Sequence, residues 1–195
     1  MLNARDIRLQ SDYANLLALT RDSGGTLSLE SVKGRPPEEY VLIYQCRSIK
    51  GLIGEKPIYR DQHRVRFRLP ARYPLPSAPP RVDLLTPLFH PHVYPNREVC
   101  LGGWQSSEYL DQLALRIGAL IQFDRRLLNV RDPANEEAMD WVRRNLRLLP
   151  TDSCTFQHDD LRPRAEMPEA TEIVYDRPEP QQQPEPQRIL WVDLT

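Results

Sequence analysis

The sequence lacks the features by which membrane, secreted and nucleic-acid-binding proteins are usually recognised. No run of about 18 apolar residues occurs, so no membrane-spanning helix is predicted. The N-terminus carries Asp6 and Asp12 without a continuous apolar stretch, so no signal peptide is predicted. Lys and Arg number 26 against 27 Asp and Glu, which leaves a net charge of -1 and no basic excess for binding nucleic acid. We therefore expect a cytoplasmic protein without nucleic-acid or membrane partners.

Cysteine and lysine are also scarce. The three cysteines, Cys46, Cys100 and Cys154, are odd in number and stand 54 residues apart (100 − 46 and 154 − 100), so neither a CxxC pair nor a zinc-ligand spacing arises. We expect no metal and no other cofactor, and each cysteine has to be judged from its own surroundings. Only three of the 26 basic residues are lysines, and this arginine excess is typical of a GC-rich bacterial genome.

What is present is a periodic pattern typical of an α+β domain. Apolar residues recur at three- and four-residue steps, as in amphipathic helices, over residues 6–21, 109–123 and 134–146. Alternating or β-rich runs, typical of strands, cover residues 26–32, 40–46, 63–69 and 81–85. Because the strands follow one another without intervening helices, they predict a four-stranded antiparallel meander between an N-terminal helix and C-terminal helices. Prolines between 87 and 95 predict an ordered loop before Cys100.

The composition changes at Thr151. A folded domain is predicted for residues 1–150, followed by a tail over residues 151–195 that is rich in Pro, Gln and Glu and cannot bury enough apolar area to fold. Two apolar segments, near 171–175 and 188–194, interrupt this tail. We interpret both as docking segments, which pack either on the domain or on a partner.

Three motifs follow one another along the predicted domain. They are residues 72–82 (RYPLPSAPPRV), 89–101 (FHPHVYPNREVCL) and 132–138 (DPANEEA). In this order and spacing they resemble three landmarks of the ubiquitin-conjugating (E2) enzymes: a Tyr-Pro…Pro-Pro-x-Val bend, a His-Pro-Asn motif followed by the active cysteine, and the start of the penultimate helix. The resemblance runs from about Arg5 to Leu146 and implies the E2 (UBC) fold, with a cysteine loop between the sheet and the C-terminal helices.

The resemblance implies a carrier of an acyl group. Such an enzyme accepts a ubiquitin-like modifier protein as a thioester on Cys100 from an E1-like activating enzyme and passes it to a lysine amine of a protein substrate. No strong base is needed, because the incoming acyl group is already activated. Gly102 and Gly103 behind Cys100 favour an exposed loop, whereas Cys46 lies in an apolar strand, so Cys100 is the predicted catalytic cysteine.

Two further catalytic residues follow from the resemblance. Where the family has an Asn, this chain has His92, which either braces the loop or donates a hydrogen bond to the tetrahedral oxyanion, with a pH dependence near its ordinary pKa of about 6.5. Asp132 lies 32 residues after Cys100 (132 − 100) and matches the acidic gate that orients or deprotonates the attacking lysine. Its alternative role is the N-cap of the following helix. His90 is expected to pack and hydrogen-bond inside the loop.

Two other classes of function remain open. A non-catalytic E2 variant would only bind a ubiquitin-like protein; the missing Asn favours it and the position of Cys100 opposes it. A cysteine hydrolase would need a His and a carboxylate poised on the thiol, and the matching oxyanion loop is missing.

The resemblance also bears on partners and setting. The Trp-Ser-Pro segment with which many E2 enzymes dock RING ligases is replaced by residues 104–108 (WQSSE), which argues against a RING-type ligase as a partner. With the arginine excess, the resemblance suggests a bacterial conjugation pathway, such as those of antiviral (antiphage) operons.

Overall fold

The structure is a computed structural model and describes residues 3–128, residues 131–151 and Phe156. Helix α1 (Ala4–Asp22) precedes four strands, namely β1 (Leu27–Gly34), β2 (Pro37–Ile53), β3 (Lys56–Arg68) and β4 (Arg81–Leu84). Helices α2 (Leu110–Ile121) and α3 (Glu136–Arg144) follow, each with a short 3₁₀ turn behind it, at Arg125–Leu127 and Leu146–Leu148. The strands form one antiparallel sheet in the order β1-β2-β3-β4, so the predicted α+β architecture is confirmed.

The hairpin between β2 and β3 is longer than predicted. The strands predicted over residues 40–46 and 63–69 leave residues 47–62 outside them, but Gly51 pairs with Ile58 and Ile53 with Lys56. Only Gly54 and Glu55 remain for the turn, and Gly54 has a φ of 57°, which a glycine adopts without steric cost. The glycines and the proline in this stretch have low strand propensity, so the sequence did not predict strands here.

The core lies between one face of the sheet and helices α1 and α2. Inward-facing residues on β2 and β3 alternate with solvent-facing ones, as the two-residue period of a strand requires. Members of this core are fully or almost fully buried and include Leu9, Leu16, Tyr40, Leu42, Tyr44, Val65, Phe67, Leu113 and Ile117. A second, smaller cluster joins the far end of the hairpin to α3 through Ile49, Phe123, Trp141, Val142 and Leu149.

A buried polar network fixes the start of α2 against α1. The Asp12 carboxylate is fully buried and accepts hydrogen bonds from the Leu110 amide at 2.9 Å and the Tyr73 hydroxyl at 2.6 Å. Arg8 pairs with the same carboxylate at 3.0 Å. Burial raises the pKa of Asp12, and the Arg8 charge opposes this rise. The network holds α2 in place immediately after the loop that carries Cys100.

The apolar core receives a side chain from beyond the predicted domain boundary. By internal contacts, the compact unit that contains the sheet continues past residue 150. Phe156, in this unit, is only 5% exposed and lies edge-on to Tyr44 at 5.7 Å between ring centroids. The boundary at residue 150 stays a prediction. Cys154 and the predicted docking segments 171–175 and 188–194 lie outside the described residues.

Within the described part of the chain, no helix is long and apolar enough to cross a membrane.

Candidate active site

The cysteine loop, residues 85–109, connects β4 to α2 and carries Cys100. Its segment before Cys100 is attached to the outer edge of β4. The Leu84 amide donates to the Arg97 carbonyl at 2.9 Å, and the Val99 amide donates to the Val82 carbonyl at 2.8 Å. The chain then turns so that the Cys100 amide donates to the His92 carbonyl at 2.8 Å. Cys100 is a free thiol and is only partly buried. The loop therefore holds the backbone of Cys100 firmly while leaving its side chain accessible.

His90 forms the interior of this loop. Its ring is almost fully buried, stacks on Phe123 with ring centroids 4.5 Å apart, and accepts the His92 amide hydrogen on Nδ1 at 3.0 Å. Burial holds the pKa of His90 well below its ordinary value, so the ring is neutral. The expectation that His90 packs and hydrogen-bonds inside the loop is confirmed.

His92 links the cysteine loop to the segment that follows α2. The residue is 5% exposed, and its ring interacts with the main chain of Leu127 and lies within electrostatic range of Asp132. Burial lowers the pKa of His92, while the Leu127 hydrogen bond and the Asp132 charge partly oppose this shift. At neutral pH the imidazole is therefore uncharged and carries a single N–H donor.

Tyr94 lies beside the thiol and was not identified from the sequence. The residue is 42% exposed, and its hydroxyl lies close enough to the Cys100 side chain to interact with it. This contact and the nearby charge of Cys100 raise the pKa of Tyr94, and Asp132 and Glu98 add to the rise. Tyr94 meets Cys100 only because the chain reverses between them at Arg97, where φ is 68°, and no sequence period reports such a reversal.

Asp132 is placed near the thiol through these two neighbours. Its charge acts on both His92 and Tyr94, so the structure brings Cys100, His92 and Asp132 together at one site. The alternative role as a helix N-cap is wrong. The N-cap of α3 is Asn135, whose side chain accepts from the Ala138 amide at 3.0 Å. Asn135 also donates its own amide to the Pro91 carbonyl at 2.9 Å, which ties α3 to the cysteine loop.

The second described cysteine has different surroundings. Cys46 is 3% exposed and belongs to the core under the sheet. Its interpretation as a structural residue is therefore confirmed. No group of three or more potential metal ligands occurs among the residues that the structure describes.

Comparison with known proteins identifies the family. The sequence model of the family described as ubiquitin-conjugating enzyme matches residues 39–150, more than half of the 195 residues. The chain belongs to the ubiquitin-conjugating enzyme family. It is also similar to the SUMO-conjugating enzyme UBC9 of Caenorhabditis elegans, with 37% identity over 91 residues. That match covers 44% of this chain and 52% of UBC9, so the chain spans about half the length of this curated relative.

As a member of the ubiquitin-conjugating family, the chain has the fold expected from its sequence. The helix, the four-stranded meander and the later helices occur in the expected order. The matched region begins on β2, contains Cys100 and ends at the 3₁₀ turn after α3. The site described above therefore lies wholly inside the part of the chain that defines the family.

Proposed function

We propose that this chain is an E2-type carrier of a ubiquitin-like protein. It takes the modifier from an E1-like activating enzyme as a thioester on Cys100 and transfers it to a lysine amine of a protein substrate. The observation that carries the proposal is the partly exposed thiol of Cys100, set in a hydrogen-bonded loop with the Tyr94 hydroxyl beside it. On the sequence grounds given above, we place this reaction in the cytoplasm of a bacterium and in a defence pathway.

The loading step is a thiol exchange. The Cys100 thiolate attacks the thioester carbonyl of the modifier, a tetrahedral oxyanion forms, and the thiolate of the activating enzyme leaves. The bond broken and the bond formed are both thioesters, so the step needs no strong base. A thiol that is reachable from solvent and fixed in its loop is sufficient for it.

The discharge step replaces the thioester by an amide. The lysine amine attacks the carbonyl, the Cys100 thiolate leaves, and the amine loses a proton. Asp132 is exposed, and its charge acts on the side chains that surround the thiol. We assign to it the orientation of the incoming amine and the acceptance of its proton.

For His92 we favour the bracing role over the oxyanion role. A neutral imidazole has one N–H, and the hydrogen bond to the Leu127 main chain uses it. Only the charged imidazole has a second donor for an oxyanion, and the lowered pKa disfavours that form. His92 then holds the cysteine loop against the turn Arg125–Leu127.

The alternative is a non-catalytic E2 variant that binds a ubiquitin-like protein. One observation favours this alternative. If the single N–H of neutral His92 is bonded to Leu127, His92 has no donor left for an oxyanion.

A charging assay separates the two functions. The chain is incubated with ATP and the E1-like enzyme and modifier of its own pathway, and in parallel with ubiquitin or SUMO and the matching activating enzyme, and is run on non-reducing gels. Loading predicts an adduct that reductant removes and that Cys100→Ala abolishes.

The assay includes UBC9 of C. elegans with SUMO as the positive control. If UBC9 is charged while this chain forms an adduct with none of the modifiers, including that of its own pathway, the carrier proposal is wrong. Binding of a modifier without an adduct, measured by titration calorimetry, would then support the alternative.

A further inference from the structure

The residue after Cys100 is held by a side chain from α2. The Arg116 guanidinium donates from Nη1 to the Leu101 carbonyl at 2.7 Å. Its Nε and Nη2 atoms donate to the two carboxylate oxygens of Glu108 at 2.7 and 2.8 Å. Both side chains are largely buried, with exposures of 16% and 15%. The planar guanidinium thus binds Glu108 on one side and the Leu101 carbonyl on the other.

This contact completes the support of the cysteine backbone. On the N-terminal side, the Cys100 amide is bonded to the His92 carbonyl. On the C-terminal side, Arg116 holds the Leu101 carbonyl. Beyond it come Gly102, with a φ of 62°, and Gly103. Neither glycine makes a backbone hydrogen bond to the described residues.

The buried Arg116–Glu108 ion pair is expected to contribute little to the stability of the fold. A buried ion pair loses much of its Coulombic gain to the cost of removing both charges from water, so apolar residues of similar size often replace it without loss of stability. Apolar residues cannot, however, donate a hydrogen bond to the Leu101 carbonyl. Replacing Arg116 and Glu108 by apolar residues should therefore disturb the geometry at Cys100 while leaving the stability of the fold unchanged.

We infer that Arg116, held by Glu108, is a positioning residue for Cys100. The inference rests on the proposed carrier function. Arg116 does not touch the reacting atoms. It fixes the peptide unit between Leu101 and Gly102, one residue beyond the nucleophile, and so restrains the direction from which the thiol meets a carbonyl. Small errors in such placement cost up to about 100-fold in rate.

The test uses the full chain and measures charging with SUMO, its activating enzyme and ATP, and likewise with ubiquitin and with the modifier and E1-like enzyme of the chain's own pathway. The variants are Arg116→Met with Glu108→Leu, which removes the pair, and Arg116→Lys, which keeps a charge beside Glu108 but lacks the fork that also holds Leu101. The control is Arg64→Met, which removes an arginine paired with Glu30 at 2.7 Å on the sheet, away from the site. Unfolding midpoints are measured for all variants.

The expected result is a fall of about 10- to 100-fold in kcat for loading in both Arg116 variants, with an unchanged KM for the loaded activating enzyme. Discharge to free lysine should slow to a similar degree, while Arg64→Met behaves as the wild type. The double variant should keep the wild-type unfolding midpoint. A loss of kcat that merely follows a loss of folded protein would overturn the inference.

Two further outcomes are informative. If the wild type charges and both Arg116 variants charge at its rate, the positioning role is wrong and the carrier function stands. If the wild type charges with none of the modifiers, including that of its own pathway, while UBC9 charges with SUMO, the carrier function fails, and the inference fails with it.

Discussion

Cys100 and Cys46 are both free thiols, and their surroundings separate their roles. Cys46 is packed under the sheet, whereas Cys100 is reachable from solvent in its loop. We expect Cys100→Ser to form an ester that survives reductant, because an oxygen ester replaces the thioester. Cys46→Ala should still give the reductant-sensitive adduct. Gels run with and without reductant distinguish these adducts, and charging that persists in Cys100→Ala would contradict the assignment.

His92 allows a sharper test, because two substitutions separate its possible roles. His92→Ala removes the link to Leu127, and we expect discharge to free lysine to slow by up to about 100-fold, the cost that misplacement of a reacting group can carry. His92→Asn restores an N–H donor without a titratable ring, so its rate should lie near that of the wild type. Single-turnover discharge of the preformed thioester measures both rates.

The bracing assignment also has a pH signature. Because the pKa of His92 is lowered, the ring is neutral at pH 7 and becomes charged only as the pH falls below its ordinary value of about 6.5. Any acid-side change in discharge rate that arises from this ring should disappear in His92→Asn. Equal discharge rates for the wild type, His92→Ala and His92→Asn would contradict the bracing role and show that His92 does not contribute to discharge.

The residues of the site differ in how far the sequence could predict them. Cys100, His92 and Asp132 follow from motif spacing, and the structure places them together. Tyr94 and Arg116 do not follow from it. Tyr94 reaches the thiol through a reversal of the chain, and Arg116 reaches Leu101 from a helix whose position depends on the buried Asp12 network. Neither the Tyr94–Cys100 contact nor the Arg116–Leu101 contact corresponds to a periodic pattern in the sequence, so neither could be predicted from it.

At the scale of elements, the sequence predicted the strongly periodic helices but neither the N-cap of α3 nor the long hairpin. Helix α1 lies within two residues of its predicted ends, and α3 starts where Asn135 caps it. The end of the β2–β3 hairpin depends instead on tertiary contacts. The Trp141 indole donates to the Glu55 carbonyl at the turn, at 3.1 Å, and Ile49 packs in the same cluster as Trp141. These contacts override the weak strand propensity of its glycines and proline.

The cysteine loop is an element whose stability should depend on pH. His90 is buried and neutral inside it, and burial also lowers the pKa of His63 under the sheet. The folded state therefore binds fewer protons than the unfolded state, so the free energy of unfolding should fall as the pH drops below about 6.5. Each such histidine contributes up to about 1.4 kcal/mol per pH unit.

Substitution isolates the contribution of His90. His90→Asn keeps an acceptor for the His92 amide and removes the titratable ring. Its free energy of unfolding should be lower at pH 7 but should fall less steeply towards pH 5. Urea unfolding at several pH values measures both slopes. The matching change for the core is His63→Asn, and a wild-type slope in His90→Asn would mean that His90 is not neutral in the fold.

For the whole molecule, the open question is where the folded domain ends. The change in composition at Thr151 predicts a boundary at 150, yet Phe156 is buried against α2 and Tyr44. A methyl group at Gly118 would come within 2.5 Å of its ring, so the packing is close. The sequence gives no sign of this contact, because a single aromatic residue in a polar segment has no period. This close packing places Phe156 in the folded unit, beyond the boundary that the composition predicts.

The position of Phe156 predicts how shortened chains behave. A chain ending at residue 162 should unfold at the midpoint of the full chain and should still form the thioester. A chain ending at residue 150 lacks Phe156, and its free energy of unfolding should be lower by about 3 to 5 kcal/mol, the usual loss when a buried phenylalanine is removed. Phe156→Ala in the full chain is the matched variant and should show a loss of similar size in urea unfolding. Equal stability of the chains ending at 150 and 162 would mean that Phe156 contributes nothing to the core and that the domain ends where the composition changes.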